Sequence, residues 1–466
     1  MRGFTPPAKK IGWSGYDNHV HPLVVYAWTC NSGFVRFHKV LGFFLSLAPV
    51  HMIKRAVAAL ALTCALTFGA ALSASPQEQG ATPPPAPEPM TFYIVKGAND
   101  SCGRGCDSWI QAEGKIEADT PARFKAILDR VRDRNLPIYF ASLGGNLERA
   151  MTMGNMLHAR SIAAGVGRTV VQECGFEAQD GEACIALKNS GRELHGELLT
   201  NAVCASACPY FFVGATVHEV APDAVLAVHS PKVMLNDRMG HLDASAIAAA
   251  DQRGHERVDS MAAVYLTKMG IDAGLLVLTK TVKFEDIHVL TRDEIARFGV
   301  DRREAAETRW RFESNGLSML HKIAVVRRPG EASFRLLQWR VTCFDARRFV
   351  LNFLRPISAS PNLSSVSMAG DDGLPVYYFN PAPMTASGRE QWGMQLGQFD
   401  LQSLLDLPQI EFTETSPAED GHRVSQTIKL SNEGGATALA SFFATCRAAS
   451  GSAAPQAIQP GGAVAK

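Results

Sequence analysis

Cys204–Pro231 reads CASACPYFFVGATVHEVAPDAVLAVHSP, with one serine between two cysteines and one histidine at the end of an apolar run. Within it, ACPYFFVGA (Ala207–Ala215) has the character of a buried helix and AVLAVHS that of a short strand. Ser206 then opens a helix and His229 closes a strand. A serine hydroxyl is a weak nucleophile and needs a base, a group that orients the base, and donors for a developing oxyanion. The backbone N–H of Ala207 at a helix start is one such donor, and a strand end is a rigid perch for a base. A plainer reading competes, in which Ser206 caps the helix and His229 is a satisfied strand-end histidine.

The stretches around this block alternate strand and helix. TFYIV (Thr91–Val95) and WIQAEGKI (Trp109–Ile116) read as strands. Thr120 followed by Pro121 marks a helix start, with Phe124, Ile127, Leu128 and Val131 on one face. LPIYFAS (Leu136–Ser142) is a buried strand, broken by Gly144 and Gly145 before a helical spacing of Leu147, Ala150, Met151, Gly154 and Leu157. RTVVQE returns to strand, residues Ser245–Met269 and Asp272–Thr281 read as helices, and Thr291–Asp301 as a short helix ended by Gly299. This order predicts an α/β domain with a parallel sheet. SLGG sits between a strand and a helix, where a glycine N–H can approach a carbonyl closely.

Three blocks together resemble the Clp protease proteolytic subunit and signal peptide peptidase A superfamily of serine peptidases, which share the crotonase-like fold. They are SLGGNLERAMTMG (Ser142–Gly154), the Cys204–Pro231 block, and FEDIHVLTRDEIARFGVD (Phe284–Asp301), all within about 92–301. The resemblance implies that Ser206 is the nucleophile, His229 the base and Asp286 the group that orients it, with the N–H groups of Gly145 and Ala207 as the oxyanion hole. It also implies oligomerisation. Cys204 and Cys208 depart from the cytosolic members, and a disulfide between them would restrain the turn that carries Ser206.

The chain has 466 residues, 46% of them hydrophobic and 20% charged, with a formal net charge of +1. That is a globular balance with no bulk basic field, and no Lys/Arg stripe interleaved with aromatics suggests nucleic acid. From Met52, MIKRAVAALALTCALTFGAALSASP has the basic, apolar and small-residue regions of a secretory signal ending near Ala74. Residues 1–51 are then expected to be an upstream, non-structural extension; the alternative is an uncleaved anchor in the inner membrane facing the periplasm. A Pro-rich spacer (75–90) follows, then the α/β domain (91–309), a mainly antiparallel β domain (310–450) of alternating segments such as SFRLLQWRVTCF, RFVLNFL, LPVYYF, QIEFTE and RVSQTIKL, and a disordered tail (451–466).

Export suits the cysteines. Setting Cys30 and Cys64 aside leaves Cys102, Cys106, Cys174, Cys184, Cys204, Cys208, Cys343 and Cys446, an even set for an oxidising compartment. Spacing alone leaves about a hundred pairings open; close neighbours such as Cys102 with Cys106 and Cys174 with Cys184 are favoured, and Cys343 and Cys446 have only each other in the last third. His158, His195, His218, His241 and His255 show no metal-ligand spacing, and Met151, Met153 and Met156 read as core. The expectation is an exported, periplasmic serine-type endopeptidase that acts on peptides or unfolded protein, without cofactor, metal or ATPase partner. The alternative is a catalytically inactive periplasmic binding or scaffold protein on the same fold.

Overall fold

Side chains alternate between two buried faces along the first strand, β1 (Thr91–Lys96). Ile94 joins one apolar cluster, while Tyr93 and Val95 join another on the opposite face. β2 (Ser108–Glu113) repeats this, with Ile110 and Ala112 on the first side and Trp109 on the second. Both faces of this sheet are therefore covered. The computed structural model describes residues 88–452 apart from 133, 234–242, 315–317, 329, 346, 358–361, 371, 372, 374, 381–383, 387 and 419. The signal-like stretch from Met52, the extension 1–51, most of the Pro-rich spacer, His241 and the tail after Ser452 lie outside these residues.

The strands that follow are β3 (Ile138–Ala141), β4 (Ala163–Val166), β5 (Arg168–Val171), β6 (Leu194–Leu199), β7 (Val203–Ala205), β8 (Val217–Glu219), β9 (Val225–Val228) and β10 (His288–Val289). One sheet has the order β5-β6-β1-β2-β3-β4-β8 and a smaller one the order β10-β9-β7. The larger sheet is mixed rather than parallel: β2-β3-β4-β8 and β6-β1 pair in parallel, whereas β1-β2 and β5-β6 are antiparallel. The reason is connection length. Residues 97–107 between β1 and β2 are too few for a crossover helix, and they form a loop closed by the Cys102–Cys106 disulfide. Residues 88–90, assigned from sequence to the spacer, instead dock on this sheet, where the amides of Met90 and Lys115 donate to the carbonyls of Lys115 and Glu88 at 2.7 and 2.8 Å.

The helices are α1 (Thr120–Arg130), α2 (Leu147–Ala159), α3 (Glu182–Lys188), α4 (Cys208–Phe212), α5 (Ala244–Lys268), α6 (Gly274–Thr281) and α7 (Arg292–Arg297). Phe211 of α4 meets Phe124 of α1 and Phe140 of β3 edge-on, at 4.9 and 4.7 Å between ring centroids, and so roots α4 in the core. Gly154 of α2 lets the chain at Gly214 come into backbone contact, and a Cβ on Gly154 would overlap the Tyr265 hydroxyl. That hydroxyl donates to the Tyr210 carbonyl at 2.6 Å. On the opposite face Cys174 and Cys184 are disulfide-bonded beside Trp109, and Trp109 Nε1 donates to Thr169 Oγ1 at 3.0 Å.

Residues from Ala305 onward build two antiparallel sheets around a separate apolar cluster. The first comprises β11 (Ala305–Glu307), β12 (Arg311–Glu313), β13 (Met319–Val326), β14 (Arg335–Cys343), β15 (Arg348–Pro356), β18 (Met384–Ala386) and β19 (Arg389–Gly397). The second comprises β16 (Ser365–Gly370), β17 (Val376–Tyr378), β20 (Gln409–Pro417) and β21 (Arg423–Ser431). The two pack face to face: Phe412 lies 5.0 Å from Trp339 and 4.5 Å from Phe353. Buried between them is a charged group in which Arg355 binds Glu390, and Arg328 and Arg335 bind Glu414. α8 (Gln398–Asp406) and α9 (Gly435–Ser452) cover the apolar cluster, and the Cys343–Cys446 disulfide ties α9 to the end of β14. Arg311 reaches across to Asp223 at 2.7 Å, linking this part to the α/β part. Among the described residues no helix is long and apolar enough to cross a membrane.

Candidate active site

Ser206 lies between β7 and α4 with φ at +61°, the left-handed region. L-residues other than Gly, Asn and Asp enter it at a cost, and such strain persists only where the surroundings over-determine it. Several contacts do so here. The Ser206 amide donates to the Ala227 carbonyl of β9 at 3.0 Å. The Cys204–Cys208 disulfide brackets the turn on both sides, with both cysteines fully buried. Ser142 docks on β7 through two backbone bonds, its amide to the Val203 carbonyl at 2.8 Å and the Ala205 amide to its own carbonyl at 2.9 Å. That docking brings SLGG against the serine. A Cβ on Gly144 would stand 2.6 Å from both the Ala205 carbonyl oxygen and the Ser206 Cβ, so only glycine fits there.

The helix-cap reading of Ser206 does not describe this turn. The N-cap of α4 is Ala207, with no side-chain capping bond. α4 has five residues, so its dipole is small and the local N–H groups carry the electrostatics instead. Ala207 and Gly145 both line the cleft beside Ser206, and the amide of neither has an acceptor among the described residues. Ala207 is buried, and buried N–H groups without a partner are rare in native proteins.

His229 follows β9 and reaches the same cleft. Its Nδ1 lies 2.9 Å from the Ser230 carbonyl oxygen. A carbonyl only accepts, so Nδ1 carries a proton, and in the neutral ring Nε2 is then the nitrogen with the lone pair, the tautomer a general base needs. The Ser230 amide in turn donates to the Val282 carbonyl at 2.9 Å, which pins this end of the strand. Phe284 sets its ring edge-on to the imidazole, with centroids 5.1 Å apart and planes at 74°. No hydrogen bond joins Ser206 Oγ to His229 among the described residues; such bonds are often long before substrate binds and tighten afterwards.

The structure brings Ser206, His229, Gly145 and Ala207 to one cleft and leaves Asp286 outside it. Asp286 is exposed in the turn before β10, where its amide donates to the Lys283 carbonyl at 3.1 Å and its side chain makes no bond to His229. Strand register explains this. His288 pairs with Val228, so continuing the antiparallel ladder by one residue sets Ile287 opposite His229. The Ser230 carbonyl holds Nδ1 in place of a carboxylate. Ser230 and Phe284 are the contacts that sequence reasoning missed, because a backbone carbonyl carries no residue signature and Phe284 reaches His229 only through the β9-β10 pairing.

The cleft opens into two cavities that share Ser206, His229, Gly145, Lys115 and Phe284. One, of about 700 Å³, adds Leu147, Val233 and Val258 with Glu117, Glu148 and Lys232. The other, of about 580 Å³, adds Leu143, Val203, Asn201 and Arg168.

The remaining histidines stand apart. His218 is half-buried, its Nε2 against the Val213 carbonyl oxygen at 3.2 Å, and desolvation holds its pKa below the ordinary value. His195 pairs with Glu173 at 3.0 Å and His255 lies 3.7 Å from Asp251. Among the described residues no group of three or more His, Cys, Asp or Glu side chains could hold a metal ion. Met151 and Met153 are buried in the core and Met156 packs against it.

No family model and no curated protein matches the chain. Among solved structures it is similar to a point mutant of ClpP1 from Listeria monocytogenes, with 15% identity, 40% of this chain and 85% of that one covered, and a TM-score of 0.25. A mutant of the 1510-N membrane-bound stomatin-specific protease gives 15% identity, 45% and 78% coverage and a TM-score of 0.26. The invasion associated protein B from Bartonella henselae gives 14%, 29% and 96%, with a TM-score of 0.22. At these scores the likenesses carry no weight for the site, whose reading rests on its own geometry.

Proposed function

We propose that the protein is an exported serine hydrolase of the crotonase-like, Clp-type class that cuts peptide bonds in peptides or unfolded protein, with Ser206 and His229 as a catalytic dyad. His229 Nε2 takes the proton of Ser206 Oγ as that oxygen attacks the carbonyl carbon. The amides of Gly145 and Ala207 hold the oxyanion. On collapse the C–N bond breaks, the imidazolium returns the proton to the leaving amine, and water then hydrolyses the acyl ester with His229 again as base. The Ser230 carbonyl keeps the imidazole in the working tautomer, a positioning role that needs no third side chain.

The observation that carries this reading is the strained Ser206 at a strand-to-helix turn, in one cleft with His229, whose Nδ1 meets the Ser230 carbonyl, and with Gly145 and Ala207, whose amides have no acceptor among the described residues. A binding or scaffold protein on the same fold is the second reading, favoured by the missing Ser206–His229 bond and by the exposed Asp286. Four disulfides suit an oxidising compartment, and periplasmic export is part of the proposal. Labelling of the disulfide-bonded protein by a fluorophosphonate tests the choice. The hydrolase reading expects labelling that is lost in Ser206→Ala and strongly slowed in His229→Ala; an unlabelled folded wild type would leave the scaffold reading.

A further inference from the structure

We infer that the cavity of about 580 Å³ beside Ser206 is a subsite for the carboxylate-bearing end of a short apolar peptide, held by Lys115 and Arg168. The inference deepens the hydrolase reading and rests on it for the place of the cut, though not for the binding itself. Five lining residues have apolar side chains, Ala141, Leu143, Ala202, Val203 and Phe284, and Leu143 is 69% exposed although it is a leucine. Apart from the His229 ring, Lys115 and Arg168 are the only residues with ionisable side chains in that lining, and no acid is among them.

Neither cation has a carboxylate partner among the described residues; Lys115 is exposed, and Arg168 is a half-buried residue whose side chain makes no hydrogen bond there. Among the described residues several partly or fully buried arginines are paired with acids, Arg292 and Arg303 with Asp301, Arg311 with Asp223 and Arg355 with Glu390, whereas Arg309, Arg340 and Arg389 share with Arg168 the lack of a carboxylate partner; what sets Arg168 apart is its place in the lining of a cavity beside Ser206. A guanidinium presents a planar fork that matches a carboxylate, so one that lines a cavity without a counter-ion is open to an anionic ligand. The cavity on the other side of Ser206 differs, since Glu117 and Glu148 there offset Lys115 and Lys232. Charge thus distinguishes the two sides of the reactive pair.

A terminal carboxylate belongs to the part of a peptide that follows the cut bond. The subsite with Lys115 and Arg168 therefore takes the leaving-group side, and the larger cavity the acyl side. An acidic side chain near the cut offers the same chemistry from a second source.

The test uses one fluorescent apolar peptide in three forms: free acid, carboxamide, and carboxamide with an internal glutamate. Affinity is measured by anisotropy on full-length Ser206→Ala, which needs no turnover. The free acid is expected to bind about tenfold more tightly than the plain carboxamide, as two partly exposed charge-assisted contacts allow. That ratio should fall toward one when Lys115→Gln and Arg168→Gln are added, and survive in Arg168→Lys. Preference for the internal glutamate over the free acid would assign the subsite to acidic side chains and overturn the terminal assignment. Equal binding of all three would overturn the inference even if fluorophosphonate labels Ser206. Failure of labelling with the tenfold ratio intact would instead strike the hydrolase reading alone.

Discussion

Replacing Ser206 by glycine and by alanine separates backbone strain from chemistry. At φ +61° a Cβ costs about 1–2 kcal/mol relative to glycine. Alanine regains about 0.4–1 kcal/mol because it loses less freedom on folding. Ser206 is only partly buried, so its methyl group adds little more by leaving water. The balance leaves Ser206→Gly more stable than Ser206→Ala by about 0.5–1 kcal/mol, the reverse of the roughly 0.5–1 kcal/mol by which alanine exceeds glycine inside a helix or strand. For a folding unit of 150–250 residues this is a difference of about 1–4 °C in Tm. Thermal melts of the two variants with disulfides intact measure it directly, and both should fail to react with fluorophosphonate. An alanine variant that melts at or above the glycine one would refute the left-handed turn, and with it the strain argument for Ser206.

Two further outcomes follow from the packing. Removing the Cys343–Cys446 disulfide by a double alanine substitution opens a loop whose ends are 103 residues apart, a loss of about 4–5 kcal/mol on the chain-entropy model; denaturant unfolding followed by tryptophan fluorescence of the buried Trp339 and Trp392 should show it, and an unchanged midpoint would contradict it. Acid should destabilise the fold in two stages. Burial depresses the pKa of His218; burial raises that of Asp301, but hydrogen bonds from Arg303 and Arg292 outweigh it and hold the carboxyl well below its ordinary range. Both folded values are depressed, so the stability each group contributes is present above its unfolded value and lost as pH falls, from about 6.5 for His218 and from about 3.8 for Asp301. His321 is depressed by burial in the same way, so His218→Phe should reduce the first stage in a melt series across that range rather than abolish it, and stability that rises on acidification there would show the sign to be wrong.

Much of the candidate site was legible because it is local in sequence. Ser206, Ala207 and the bracketing cysteines lie within five residues, Gly144 and Gly145 mark a strand end, and the 3.6- and 2-residue periodicities name the helices and strands that carry them. The Cys102–Cys106 and Cys174–Cys184 pairs were favoured for the same reason of short span. Elements without a clean period were missed, among them β4 (AAGV), whose Gly165 and alanines carry little strand signal, and β19, whose REQWGMQLG alternates but is interrupted by Gly393.

What the sequence by itself determined is which residue types stand at which turn, since propensity, capping and apolar period are properties of neighbours along the chain. Only the tertiary structure decided the direction of β1 against β2, the left-handed backbone at Ser206, the Ser230 carbonyl on His229 and the exposure of Asp286. These depend on strand register and on backbone groups from distant segments. A shift of one residue along β9-β10 changes which side chain faces the imidazole, and no residue type in the chain encodes that shift.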